Sequence, residues 1–446
     1  MVRMILNTDE GFLWSLRACF AIGGLFCGLV AHGLTSNDLH AQSASYERPP
    51  IDYINAPVSD EVSVLGKQIS AGEVELEYDP KFGYLPAVLK ALDIPLDSQV
   101  LVFSKTSLQL HRIAPGTPRA IYFNDNVYVG YCHRGDALEI AVTDPQQGAI
   151  FYTIRQRSSD TPRLLRDRGQ CLTCHATNRT QGVPGYLIRS VYSDNSGHPI
   201  FSRGTFTTDH ASPFIERWGG WYVTGEHGQM RHMGNVTTSD DEAMDYESGA
   251  NRTTLEGLVD TDPYPSPHSD IVALMVLEHQ TQVHNALTFA NFETREALHQ
   301  SYTMNALLER DPDHISESAQ RRMTKAVEKL VQQLLLCDEF GLESPVTGTS
   351  TFASEFAKRG PTDPSGRSLR DLDLKTRLFR YPCSFLIYSP AFRELPPEVH
   401  QRAVSRIQEV LTATEPEEAF AHLSADDRKA ILEILVATHA DFAERN

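Results

Sequence analysis

Cysteine, basic charge and long apolar runs are all scarce in this chain, and each shortage removes a class of protein. Seven cysteines are spread over 446 residues. Cys19 and Cys27 fall in an N-terminal apolar segment and Cys171 and Cys174 form a close pair, so Cys132, Cys337 and Cys383 remain. An odd remainder admits at most one disulfide, which excludes a disulfide scaffold. The 40 Lys and Arg residues are outnumbered by 58 Asp and Glu, for a formal net charge of −18. Neutralising phosphates takes clustered cations, so no nucleic acid is expected as a partner. An acidic chain favours a basic protein partner. The apolar run at 18–31 falls short of the roughly 20 residues that a spanning helix needs. Neither an internal repeat nor a low-complexity tract is present.

Arg3 and Arg17 precede that run, and a polar stretch ending in Leu39-His40-Ala41 follows it. This pattern predicts an export signal over residues 1–41, cleaved near Ala41, and a periplasmic or otherwise exported location. Membrane association is expected only if the segment stays uncleaved. Phe26 before Cys27 and Arg17 before Cys19 occupy positions where lipidation needs small or neutral residues. Residues 42–85, rich in Pro, Ser and acidic groups, predict an extended arm on the surface.

Short β-type runs follow at 100–103, 120–123, 127–132, 137–142 and 149–154. Turn clusters Asn124-Asp125-Asn126, Arg134-Gly135-Asp136 and Asp144-Pro145-Gln146-Gln147-Gly148 separate them, as in an antiparallel meander. Between two strands, Arg134-Gly135-Asp136 needs no role beyond turning the chain. Residues 198–265 are rich in turn formers and predict loops with short strands. Helical periodicity starts after Ser269, a candidate N-cap, and runs to about Leu298. Further helices are expected at 323–340, 397–412 and 424–437. The fold class is therefore α+β, with an antiparallel β-rich region at 86–265 and a mainly helical region at 266–446, a two-domain division.

Gln170-Cys171-Leu172-Thr173-Cys174-His175 contains Cys-x-x-Cys-His. At this spacing two thiols add to the haem vinyl groups while the histidine ligates iron. With seven Cys and 17 His, chance would supply only about 0.004 such motifs, so one covalent haem c on Cys171, Cys174 and His175 is expected. Two competing readings remain: a zinc site completed by Cys132 or His133, and a thiol redox pair. An electron carrier would need a sixth iron ligand, and the candidates are Met233, His232, His279, His227, His210 and Met275. Met275 and His279 are four apart on one helix face, whereas His284 points elsewhere. Trp218-Gly219-Gly220-Trp221 suits either core packing or stacking on a flat ring.

The segments Tyr122-Phe123-Asn124-Asp125, Trp218-Gly219-Gly220-Trp221-Tyr222, Arg231-His232-Met233-Gly234-Asn235 and Leu277-Glu278-His279-Gln280 extend the picture. Together with Cys171, Cys174 and His175 they give the chain a likeness over most of 86–440. It resembles large exported c-type cytochrome-domain proteins, mostly without an assigned function, that join one haem motif to a long helical half. The resemblance implies haem attachment and carries no reaction or distal ligand. A motif that follows a strand meander departs from small helical cytochromes. One-electron transfer is the leading expectation. A haem enzyme with an open distal site, of peroxidase or nitrogen-oxide reductase type, is the alternative, with Arg231, His232 or His227 polarising the ligand. A haem-based sensor or docking protein is the third.

Overall fold

The computed structural model describes residues 45–443, so the expected signal at 1–41 lies outside them. The turn residues produce the meander. Asn124 Oδ1 accepts hydrogen bonds from the Asn126 and Val127 amides at 3.0 and 2.8 Å, closing the β2–β3 turn between Arg119–Phe123 and Val127–Cys132. Arg134 at a φ of 54° reverses the chain into β4, Ala137–Asp144. Asp144 Oδ1 then accepts from the Gln146 and Gln147 amides before β5, Gly148–Arg155. With β1 (Val100–Val102), β6 (Leu165–Arg166) and β9 (Trp221–Tyr222), these strands form an antiparallel sheet ordered β6-β5-β4-β3-β2-β1-β9.

Alternation along the strands gives the sheet two unlike faces. Ala120, Tyr122, Val129, Leu138, Ile140, Val142, Ile150 and Tyr152 fill one of them and are buried. Helix α1, Glu61–Ser70, is tied to that face through its N-cap Asp60, whose Oδ2 accepts from the Tyr152 hydroxyl at 2.8 Å. A second helix, α2 at Leu85–Ala91, joins the same core. The register aligns Trp221, Val102, Arg119, Ile121, Gly130, Glu139, Ala141, Phe151 and Thr153 on the other face. Several of these are only half-buried.

After the sheet come α3 (Leu172–His175), the hairpin β7 (Ile188–Val191) with β8 (Thr205–Thr208), and β10 (Gly225–Glu226). Helix α4, Ile271–Leu307, follows, and its buried residues run unbroken from Ile271 to Thr288. A helix enclosed on every side is a core element, not a surface one. It packs on α5 (Glu317–Leu334), α6 (Phe352–Lys358), α7 (Pro390–Arg393) and α8 (Pro397–Thr412), and α9 (Ala425–Thr438) packs on α8. Strand β11, Thr347–Gly348, pairs with β10. The α+β class, with an antiparallel sheet and a helical C-terminal half, is thus as expected.

Several details differ. Residues 42–85 are not simply an extended arm, because they contain α1 and bury Tyr46, Ile51, Tyr53, Val62 and Leu65 in the main core. Asp270, not Ser269, caps α4, and the helix runs on to Leu307. The Ser269 hydroxyl instead donates to the Tyr222 carbonyl and accepts from the Leu101 amide. The helix expected at 323–340 begins at Glu317 behind the cap Ser316 and ends at Leu334. The described residues form one compact unit, without a division near 265. Among them, no helix is long and apolar enough to cross a membrane.

Candidate functional site

Asp167 sets the start of the Cys-x-x-Cys-His turn. Its Oδ2 accepts from the Gly169 and Cys171 amides, both at 3.0 Å. The His175 amide donates to the Cys171 carbonyl at 3.0 Å, so residues 171–175 form one helical turn anchored by buried Leu172. Three residues apart on a helical turn, the two thiols share a side. Both are free, Cys171 half-buried and Cys174 exposed. Burial, with Asp167 beside it, pushes the Cys171 thiol up to about 12. A redox-active pair needs the opposite, a stabilised thiolate.

His175 is held at two points by one residue. Its Nδ1 lies 2.9 Å from the Gly185 carbonyl, and the Gly185 amide donates to the His175 carbonyl at 2.8 Å. A carbonyl can only accept, so Nδ1 carries the proton and Nε2 keeps its lone pair for a metal. Nε2 has no hydrogen-bond partner among the described residues. The imidazole rests on the Phe151 ring at 4.8 Å, and burial lowers its pKa, favouring the neutral ligating form.

Gly185 is in turn fixed by the central helix. Asn285 Oδ1 accepts from the Tyr186 amide at 2.8 Å, and Asn285 Nδ2 donates to the Tyr186 carbonyl at 2.7 Å. A Cβ on Gly185 would lie 2.2 Å from Asn285 Oδ1, so only glycine fits. On the half-buried sheet face, Arg119 Nη2 pairs with Glu139 Oε2 at 2.8 Å, and Gln109 Nε2 donates to Glu139 Oε1 at 2.9 Å. The charges of Arg119 and Glu139 act on both His175 and Cys171. Sequence reasoning missed Gln109, Arg119, Glu139, Gly185 and Asn285. The available signal was an Arg, a Glu and a mid-strand Gly130 in otherwise apolar strands.

The candidate sixth ligands lie in other surroundings. Met233 Sδ accepts from the Ser190 hydroxyl at 3.5 Å and packs with Val236 and Met244 in a small separate core. His232 packs against Trp218 and His227, and both His227 nitrogens are engaged, by the Met230 carbonyl and the Asn251 amide. His210 and His279 meet at 3.3 Å between Nδ1 atoms, with Ser384 and the Cys337 carbonyl at either end. Met275 is buried in α4. Among the described residues, none of these shares a hydrogen bond, ring contact or electrostatic interaction with Cys171, Cys174 or His175. His284 bonds the Asp125 carbonyl on a different side of α4 from His279, as its spacing implied. Trp218 packs on Phe214 and His232 in the core, whereas Trp221 belongs to the sheet face that carries Arg119.

The described residues contain no group of three or more His, Cys, Asp or Glu able to hold a metal ion, so Cys132 and His133 do not complete a zinc site with the motif. Cys171, Cys174 and His175 retain the donor set for one covalently held haem: two free thiols on one side of a turn, and an imidazole whose proton is fixed on the far nitrogen. No protein-family model, no curated protein and no solved structure matches the chain.

Proposed function

We propose that this is an exported mono-haem c-type protein whose iron, carried on His175, keeps its opposite side open to an external ligand. The observation that carries the reading is the Gly185 carbonyl on His175 Nδ1, which leaves Nε2 oriented and free beside two free thiols. Bound haem would supply a one-electron couple and an axial coordination position. The open side is supported by the separate packing of Met233, His232, His227, His210, His279 and Met275. That favours the haem-enzyme reading over a carrier, since a carrier fills the sixth position with Met or His. This chain's part is to orient the imidazole through Gly185 and Asn285, and to seat it on Phe151.

One-electron transfer to a basic partner is the second reading. The exposure of Cys174 favours it, because attachment at the surface would leave a haem edge accessible to a partner. To test the proposal, the chain is matured with a c-type haem assembly system and its spectra are recorded in both oxidation states, with and without carbon monoxide. Haem that survives denaturation, is absent from the Cys171→Ser/Cys174→Ser double variant, and binds carbon monoxide in the reduced protein is the expected result. A six-coordinate iron indifferent to carbon monoxide would favour the carrier. Absence of covalent haem would end both readings.

A further inference from the structure

The loop at 367–381 and the first half of α9 line an open cleft of about 490 Å³, a volume within the range of small-molecule sites. Four cations face it, Arg367, Arg377, Arg380 and Lys429. Three carboxylates, those of Asp426, Asp427 and Glu433, face it as well. In a chain whose acidic residues outnumber its basic ones 58 to 40, that balance runs against the whole. Two of the cations are already committed. Arg377 holds Asp427 through bonds of 2.5 and 3.2 Å, and Arg367 reaches Asp363 at 2.7 Å and Glu433 at 2.8 Å. The other two are not. Arg380 is exposed and makes no ion pair among the described residues, and its guanidinium lies 5.5 Å from the centre of the Tyr381 ring. Lys429 has only Glu433, at 4.0 Å, a carboxylate that Arg367 already occupies. Tyr381 adds a third donor. Only 7% of it is exposed, yet its hydroxyl has no hydrogen-bond partner among the described residues. A buried phenol ordinarily spends that proton, and the cleft that Tyr381 lines is where an acceptor can take it. The loop that carries Arg380 and Tyr381 is fixed by its own hydrogen bonds. The Arg380 amide donates to the Asp371 carbonyl at 2.8 Å, the Asp373 amide to the Leu378 carbonyl at 3.0 Å, and Arg377 Nη2 to the Arg380 carbonyl at 2.8 Å. Opposite, the capping box of Ser424 and Asp427 fixes the first turn of α9.

We infer that this cleft binds the phosphate group of a small organic phosphate ester, with Arg380, Lys429 and the Tyr381 hydroxyl as its donors. A phosphate monoester carries a charge of about −1.5 to −2 at neutral pH and three acceptor oxygens, which answers two cations and a hydroxyl. A carboxylate group brings one charge and two oxygens in a plane, and leaves a donor unanswered. The cleft is far larger than a phosphate group, so it has room for the organic part of the ester. A single cleft in a chain of net charge −18 suits one small phosphate and offers no track for a nucleic acid. The inference is independent of the haem reading.

The test titrates the full-length protein with glycerol phosphate by isothermal calorimetry and repeats the titration with succinate. Saturable one-to-one binding of glycerol phosphate is expected, with succinate weaker by about tenfold or more. Arg380→Gln should weaken glycerol phosphate binding about tenfold, and Lys429→Gln and Tyr381→Phe about threefold or more each. Asp426→Asn removes the lining carboxylate that has no partner among the described residues, and should tighten binding. Lys375→Gln changes an exposed cation of the same loop outside the cleft and should leave affinity within about twofold, which separates a site from general charge attraction. Arg380 and Lys429 are exposed, so their variants should keep the parent urea midpoint, and a loss of binding then reports the donor and not the fold. The inference is overturned if glycerol phosphate shows no saturable binding at millimolar concentration, if Arg380→Gln binds it as the parent does, or if succinate binds as tightly as the ester.

Discussion

Inside α4, polar side chains are buried next to apolar ones, and several have a specific answer to the cost of leaving water. His279, His210 and Ser384 illustrate the logic. The Cys337 carbonyl can only accept, so His210 carries its proton on Nε2 and accepts at Nδ1; His279 donates there from its own Nδ1 and accepts a hydrogen bond from the Ser384 hydroxyl at Nε2. One orientation of protons satisfies the whole chain, with both rings neutral, and burial keeps both imidazole pKa values low. Glu278 is handled differently. Burial raises its carboxyl from 4.5 to about 7 against the opposing pull of Arg217, 3.1 Å away. Below about 4.5 the group is protonated folded or unfolded. Between about 4.5 and 7 the unfolded chain releases a proton that the folded chain retains, so this contribution to stability falls as pH rises and is gone above about 7. Glu278→Gln should abolish that decline, seen as a growing stability advantage of the variant, relative to its own low-pH difference, when urea unfolding is compared from pH 4.5 to 7.5. An advantage that stays constant across that range would show that Glu278 ionises normally. At the candidate site the equivalent residue is Gly185. Gly185→Ala places a methyl 2.2 Å from Asn285 Oδ1 and should cost about 1–3 kcal/mol. Gly341→Ala, which meets nothing within 4 Å, should cost under about 0.5 kcal/mol in the same denaturation experiment.

Elements were legible where local chemistry specified them. The strand at Val127–Cys132 and the helix at Pro397–Thr412 fall where periodicity placed them, and Ser424 forms a capping box with Asp427 at the head of α9. Boundaries failed where tertiary contacts decide. Ser269 and Asp270 are both fair caps by sequence, but Asp270 is also claimed by Thr349 and Ser350, just after β11. Helix α5 ends at Leu334 and the chain turns through positive φ at Leu336 and Asp338, with no glycine to signal it. The segment before α2 looked like a surface arm because its buried residues, Tyr46, Ile51 and Tyr53, are scattered without a period. The Cys-x-x-Cys-His spacing could be read from sequence alone, whereas Arg119 and Glu139 are brought together only by strand register. Asp270 ties these elements together: Oδ1 accepts from the Val272 and Ala273 amides, and Oδ2 from the Thr349 and Ser350 amides and the Ser350 hydroxyl. Removing it strips a helix cap, about 1 kcal/mol, and leaves several buried donors unpaired at about 1–3 kcal/mol each. Asp270→Ala should therefore lower unfolding free energy by about 3 kcal/mol or more at an unchanged denaturant slope. Asp270→Asn, which keeps one accepting oxygen, should fall between the two.

At the scale of the whole molecule, the question is whether the sheet could exist without the helices. One side of α4 gives Gln280 to the Tyr128 hydroxyl, His284 to the Asp125 carbonyl and Asn285 to Tyr186, all on the sheet, at its turn or beside the Cys-x-x-Cys-His segment. Another gives His279 to Ser384, and the Ser384 amide in turn donates to the Leu334 carbonyl of α5. Arg370 reaches back from the C-terminal half to pair with Asp125 at the β2–β3 turn, and β10 is completed only by β11. The two halves therefore share a core and do not merely touch, and the imidazole of His175 is oriented by a helix from the opposite half. A chain ending at residue 265 would leave Tyr128, Tyr186 and the Gly185 carbonyl without the helix that covers them. Such a fragment should bind a hydrophobic dye, unfold without a cooperative transition, and lose the fixed imidazole orientation even if haem is attached to Cys171 and Cys174. The intact protein should unfold in a single transition in which far-ultraviolet circular dichroism and tryptophan fluorescence change together. Two separated transitions, or a fragment that itself unfolds cooperatively, would mean that the sheet carries its own stability and that α4 only rests against it.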